Sequence, residues 1–114
     1  MHLQGAIDAS GLRIAIVVSR FNDFVTDRLL CGAKDALVAA GAAPDAIDTV
    51  SVPGAYEVPQ AARAAASTGA YDAVVCLGCL IRGETPHFEY ISEAVAHGIM
   101  SASAATGVPM SFGV

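Results

Sequence analysis

Apolar and polar positions change their spacing several times along the chain, and each change marks an element. Arg13-Ile14-Ala15-Ile16-Val17-Val18 is a short β-rich apolar run, the pattern of a strand covered on both faces. A loop, Ser19-Arg20-Phe21-Asn22, follows. Asn22 is a good N-cap, and Phe24, Val25, Leu29, Ala33, Ala36 and Leu37 then recur at helical spacing until Gly41. Ile47–Val52 predicts a second strand closed by Pro53-Gly54, then a helix from about Tyr56 to Ser67 with Gly69 beyond its end. Ala73–Ile81 is apolar throughout and reads as the third strand. After Arg82-Gly83-Glu84-Thr85-Pro86, one helical stripe carries Phe88, Ile91, Val95, Ile99 and Ala102. Gly107 ends that helix, and Pro109–Val114 opens a fourth strand. Leu3–Ile7 adds a candidate edge strand.

The order βαβαβαβ, joined by right-handed crossovers, requires a parallel sheet with helices on both faces. The predicted fold is therefore α/β: a flavodoxin-like three-layer α/β/α sandwich on four parallel strands. No linker, repeat or low-complexity tract divides the 114 residues, so residues 1–114 read as one domain. The sequence is 54% hydrophobic and 15% charged, which supplies a core without metal or disulfide staples and excludes disorder. It also stops inside an apolar strand, with no formal charge after Glu93. A bare apolar edge invites aggregation, so a further C-terminal helical region is expected beyond this sequence.

Charge and cysteine content narrow the partners. Six basic residues face eleven acidic ones, a net charge of −5, which argues against a nucleic-acid or anionic-membrane surface. The first residues do not read as a signal peptide, so none is expected, and no stretch is apolar enough to span a bilayer. Three cysteines, Cys31, Cys76 and Cys79, are an odd number that suits a reducing compartment, so the expected location is cytoplasmic. Cys76-Leu77-Gly78-Cys79 has redox or zinc spacing. Residues three apart in a strand point to opposite faces, however, so both thiols read as core filler and no metal site is expected. No glycine-rich dinucleotide or phosphate loop follows the first strand.

In open parallel sheets, ligands bind beyond the carboxyl ends of the strands. The loops there hold the chemistry. Phe21, Tyr56, Phe88 and Phe112 are four of only seven aromatic residues, and all four fall at this edge, which describes a slot for a flat ring. Gly83-Glu84-Thr85 precedes a helix N-terminus, whose free amides suit an anion. Glu84 has the wrong sign for one, so the amides and the Thr85 hydroxyl would make the contacts. His87 falls in the first helical turn, where a histidine can pass protons in either direction near neutral pH. The plainer alternative is a capping histidine. His2 and His97 lack comparable surroundings.

Three segments, Val17–Asn22, Val52–Pro59 and Leu80–Tyr90, resemble the signature segments of the 6,7-dimethyl-8-ribityllumazine synthases, over about Gly11 to Val114. The resemblance implies an enzyme of riboflavin biosynthesis. It would condense 5-amino-6-(D-ribitylamino)uracil with 3,4-dihydroxy-2-butanone 4-phosphate, releasing phosphate and water, without cofactor or metal. Carried over by position, it implies that Phe21 stacks on the pyrimidine and that Ala55, Tyr56 and Glu57 hold the ribityl chain. Cys79, Leu80 and Ile81 would line the ring pocket through backbone groups, Glu84 and Thr85 would bind the butanone phosphate, and His87 would donate the proton. Phe112 would come from a neighbouring subunit, because sites of this family lie between protomers of a homopentamer, which in some assemblies builds an icosahedral shell. Riboflavin synthase is the protein partner it implies. The family's phosphate-clasping C-terminal arginine has no counterpart among these residues. Two other readings stay open: an archaeal-type riboflavin synthase, and a non-catalytic flavin- or lumazine-binding shell protein.

Overall fold

Six consecutive buried residues, Ile14–Ser19, form β1 in the interior of the sheet. The computed structural model describes residues 1–114. After β1 come α1 (Asp23–Ala39), β2 (Ile47–Val52), α2 (Val58–Ser67), β3 (Ala73–Leu77), α3 (His87–Thr106) and β4 (Met110–Gly113). All strand pairs are parallel and the sheet order is β2-β1-β3-β4. Val17 lies opposite both Val50 and Cys76, and Cys76 opposite Phe112. This is the predicted flavodoxin-like order, with its topological switch between β1 and β3.

Strand alternation divides the core into two layers. Ala15, Val17, Val74 and Cys76 face the larger layer, where Val58, Ala62 and Ala66 of α2 meet Val95 and Ile99 of α3. Ile16, Val18 and Leu77 face the other side, under Leu30, Ala33 and Leu37 of α1. Small residues let α2 and α3 approach closely. A Cβ on Gly98 would lie 2.8 Å from Pro59 Cβ, so only hydrogen fits there. The stripe Ile91, Val95, Ile99 and Ala102 faces inward as predicted.

Several boundaries differ from the expectation. Leu3–Ile7 is not a strand: residues 1–8 are exposed and carry no regular hydrogen bonding. Ala9 N–H donates to Ala40 O at 2.8 Å, which anchors the segment at the end of α1. The third strand ends at Leu77 instead of Ile81. Its last pairs are with Val18 of β1 and Gly113 of β4. Past them β1 continues its ladder with β2 alone, and one further bond, from Gly78 N–H to Gly113 O, is all that follows. Around Tyr56 the chain forms a single tight 3-10 turn, Ala55–Glu57, before α2 begins at Val58. A second such turn, Pro44–Ala46, was not anticipated.

Helix α1 turns Ala33 and Leu37 of the predicted stripe inward but not its N-terminal members. Phe24 is 71% exposed, with Val25 and Leu29 also outward, while Thr26 is buried. The inward stripe is Thr26, Leu30, Ala33 and Leu37. The extra apolar residues made the spacing ambiguous, and contact with the sheet selected the face. Asn22 does not cap with its side chain either. It adopts the left-handed conformation (φ 58°, ψ 58°), which asparagine tolerates, and its carbonyl accepts from Val25 and Thr26.

Candidate active site

Two hydrogen bonds beyond the ends of β1 and β2 bring the first two loops together. Arg20 N–H donates to Val52 O at 2.8 Å and Phe21 N–H to Pro53 O at 3.0 Å. The strand ladder thus continues past Ser19 just far enough to set Phe21 beside Pro53 and Gly54. The third loop joins through Asn22, whose Nδ2 donates to Cys79 Sγ at 3.6 Å. At its base, Gly78 N–H donates to Gly113 O at 3.1 Å, holding the loop against β4.

Between these loops and the first turns of α3 lies an open cleft of about 600 Å³. Its walls contain Phe21, Ala55, Tyr56, Glu57, Cys79, Leu80, Ile81 and His87, eight of the residues singled out from the sequence. Phe21, Tyr56 and Ile81 are each more than half exposed, which puts unusual apolar area at one edge. Glu57 bends back across its own turn, its Oε1 3.4 Å from the Cβ position of Gly54. His87 opens α3 and is exposed toward the cleft.

Three predicted residues stand outside these walls. Glu84 and Thr85 lie in the exposed bend immediately before α3, beside His87 at the rim. Phe112 is elsewhere: with Met110 it faces Ala96, Ile99 and Met100 of α3 in a separate depression. Within one chain, then, Phe21, Tyr56 and Phe88 share a slot and Phe112 does not. The outer position of β4 in the sheet order separates it from the first loop.

The sequence reading missed Tyr90 and Ile91, which also line the cleft. Helical spacing was the available signal, since three and four residues after His87 lie on its side of the helix. The sole ion pair joins Arg82 Nη2 to Glu89 Oε1 at 3.0 Å, with the guanidinium 6.0 Å from the Phe88 ring. It ties the third loop to the first turn of α3. Both partners are largely exposed, so it orders the loop more than it stabilises the fold.

A family model described as 6,7-dimethyl-8-ribityllumazine synthase matches residues 11–114. The chain belongs to that family. Lumazine synthases act in riboflavin biosynthesis and are transferases, which is consistent with a ring-sized cleft at the carboxyl edge of the sheet. In this chain no group of three or more His, Cys, Asp or Glu side chains is arranged to hold a metal ion. No helix is long and apolar enough to cross a membrane. All three cysteines are free thiols. Burial pushes the Cys76 thiol up to about 11, so it stays protonated in the core. Cys79 lies beyond the strand, at the cleft, so strand alternation does not govern its direction and it is not core filler.

Proposed function

We propose that this chain condenses 5-amino-6-(D-ribitylamino)uracil with 3,4-dihydroxy-2-butanone 4-phosphate to give 6,7-dimethyl-8-ribityllumazine. The observation that carries this reading is the convergence of Phe21, the Ala55–Glu57 turn and Cys79–Ile81 on one apolar cleft with His87 at its rim. Phe21 stacks on the pyrimidine, Ala55, Tyr56 and Glu57 hold the ribityl chain, and the main chain of Cys79, Leu80 and Ile81 hydrogen-bonds the ring. The amides around Glu84 and Thr85, with the Thr85 hydroxyl, receive the phosphate while the Glu84 carboxylate points away. The positive end of α3 favours that charge.

The amine of the uracil attacks the ketone, and loss of water gives a Schiff base. Loss of the proton on C3, the carbinol carbon next to the imine, expels phosphate from C4. The enol left behind becomes a C3 ketone, and the ribitylamino nitrogen closes the ring on it with loss of a second water. Holding two substrates together supplies most of the rate, because well-aligned reactants gain roughly 7–11 kcal/mol over free encounter. Proton transfer at His87 adds about two to four orders of magnitude.

Incubating the purified protein with both substrates should yield lumazine and one equivalent of inorganic phosphate. Riboflavin formed from lumazine alone would instead mark a riboflavin synthase. Tight lumazine binding without phosphate release would mark a non-catalytic binding protein.

The working form in this reading is a pentamer or a multiple of five. Phe112, 51% exposed on β4, then completes a neighbour's cleft. Light scattering should return at least five times the chain mass. A stable, active monomer at micromolar concentration would remove Phe112 from the site.

A further inference from the structure

Behind the cleft wall sits a polar group with nothing to bond. Ser19, the last residue of β1, is 1% exposed, and its hydroxyl has no hydrogen-bond partner. Alternation along β1 directs its side chain to the face of Ala15 and Val17. Gly78 passes it there: a Cβ on Gly78 would lie 3.2 Å from Ser19 Oγ and 3.4 Å from Ala55 Cβ. Ala55 and Cys79 both line the cleft, so the hydroxyl lies directly behind the wall they form.

The segment that passes Ser19 is equally under-bonded. From Cys79 to Thr85 no main-chain N–H or C=O bonds to other main chain. The only polar link of Cys79–Ile81 is the long contact from Asn22 to the Cys79 sulfur. A ring lying in the cleft bonds the main-chain groups that face it, and a carbonyl of the segment that does not face the ring needs a donor from the protein. Ser19 holds an idle one.

We propose that Ser19 is a positioning residue of this site, whose hydroxyl pairs with the Gly78–Ile81 main chain when a ring fills the cleft. The proposal rests on the reading of the cleft as a ring site. It acts through the third loop, so its signature is a loss of ring binding without a loss of stability in the free protein.

Thr26 provides the control. Its hydroxyl is also buried and unpartnered, but it lies on α1, away from the cleft. Both Ser19→Ala and Thr26→Val remove an orphan hydroxyl, and both free proteins should melt at or above the wild-type temperature. With lumazine as the probe, Ser19→Ala should weaken binding about tenfold, the size of one neutral hydrogen bond. KM for the ribitylaminouracil should rise in parallel with kcat little changed, while Thr26→Val binds as wild type. Ser19→Cys keeps a side chain of the same connectivity with a poor donor and decides the matter if Ser19→Ala does not fold. Lumazine affinity within twofold of wild type in the folded variant overturns the Ser19 proposal alone. So does a lower melting temperature of the free Ser19→Ala protein, which would mean the hydroxyl is already paired. Wild-type protein that neither binds nor forms lumazine overturns the ring-site reading and this proposal together.

Discussion

Replacing His87 with alanine is expected to slow lumazine formation about a hundredfold while leaving the affinity for the ribitylaminouracil within a few-fold of wild type. His87 is exposed at the first position of α3 and fills no core space, so its removal costs little stability. Its place on the cleft rim, beside Glu84 and Thr85, puts the imidazole near where phosphate departs in the proposed reaction. Water can replace part of its proton transfer, and alignment of the two substrates survives, so the loss is large but incomplete. Steady-state kinetics with each substrate varied in turn would measure this. A variant with the wild-type rate at neutral pH would leave His87 as a helix-terminal residue without a catalytic role.

Gly113→Ala is expected to destabilise the protein by roughly 2–3 kcal/mol and to damage the site as well. A Cβ there would lie 2.8 Å from the Cys76 carbonyl oxygen and 2.9 Å from Leu77 Cδ2. Cys76 is fully buried in the larger core layer, so the strand behind cannot retreat. Strand β4 must move instead. That motion strains the 3.1 Å bond from Gly78 N–H to Gly113 O, from which the third loop departs. Gly32→Ala on α1 is the matched control. Nothing lies within 4 Å of its Cβ position, and alanine there should gain roughly 0.5–1 kcal/mol through helix propensity. Denaturant melts of both variants test the contrast. Equal stability of Gly113→Ala and wild type would mean that the β3–β4 contact is looser than these distances state.

The periodicity of Ile14–Val18, and of Ile91, Val95, Ile99 and Ala102, was legible because those residues are covered on the faces their spacing specifies. Helix α1 was harder. Phe24, Val25 and Leu29 continue the row of Ala33 and Leu37 as well as Thr26 and Leu30 do, and nothing local says which continuation meets the sheet. The end of β3 was illegible for a related reason: Gly78–Ile81 is as apolar as the strand before it, but strand conformation persists only where a neighbour offers hydrogen bonds.

By itself, then, the sequence determined the order and type of the four strands and three α-helices, the parallel sheet, and which loops reach its carboxyl edge. Those features follow from residue spacing and chain connectivity, which are local. The signature segments also placed Phe21, the Ala55–Glu57 turn, Cys79–Ile81 and His87 in advance, and these meet in one cleft. Only the tertiary structure decided that Phe112 lies apart from them, that Tyr90 and Ile91 join them, and that Ser19 stands unbonded behind Gly78. Each of these depends on distances between segments remote in the chain. Packing fixes such distances, and no periodicity encodes them.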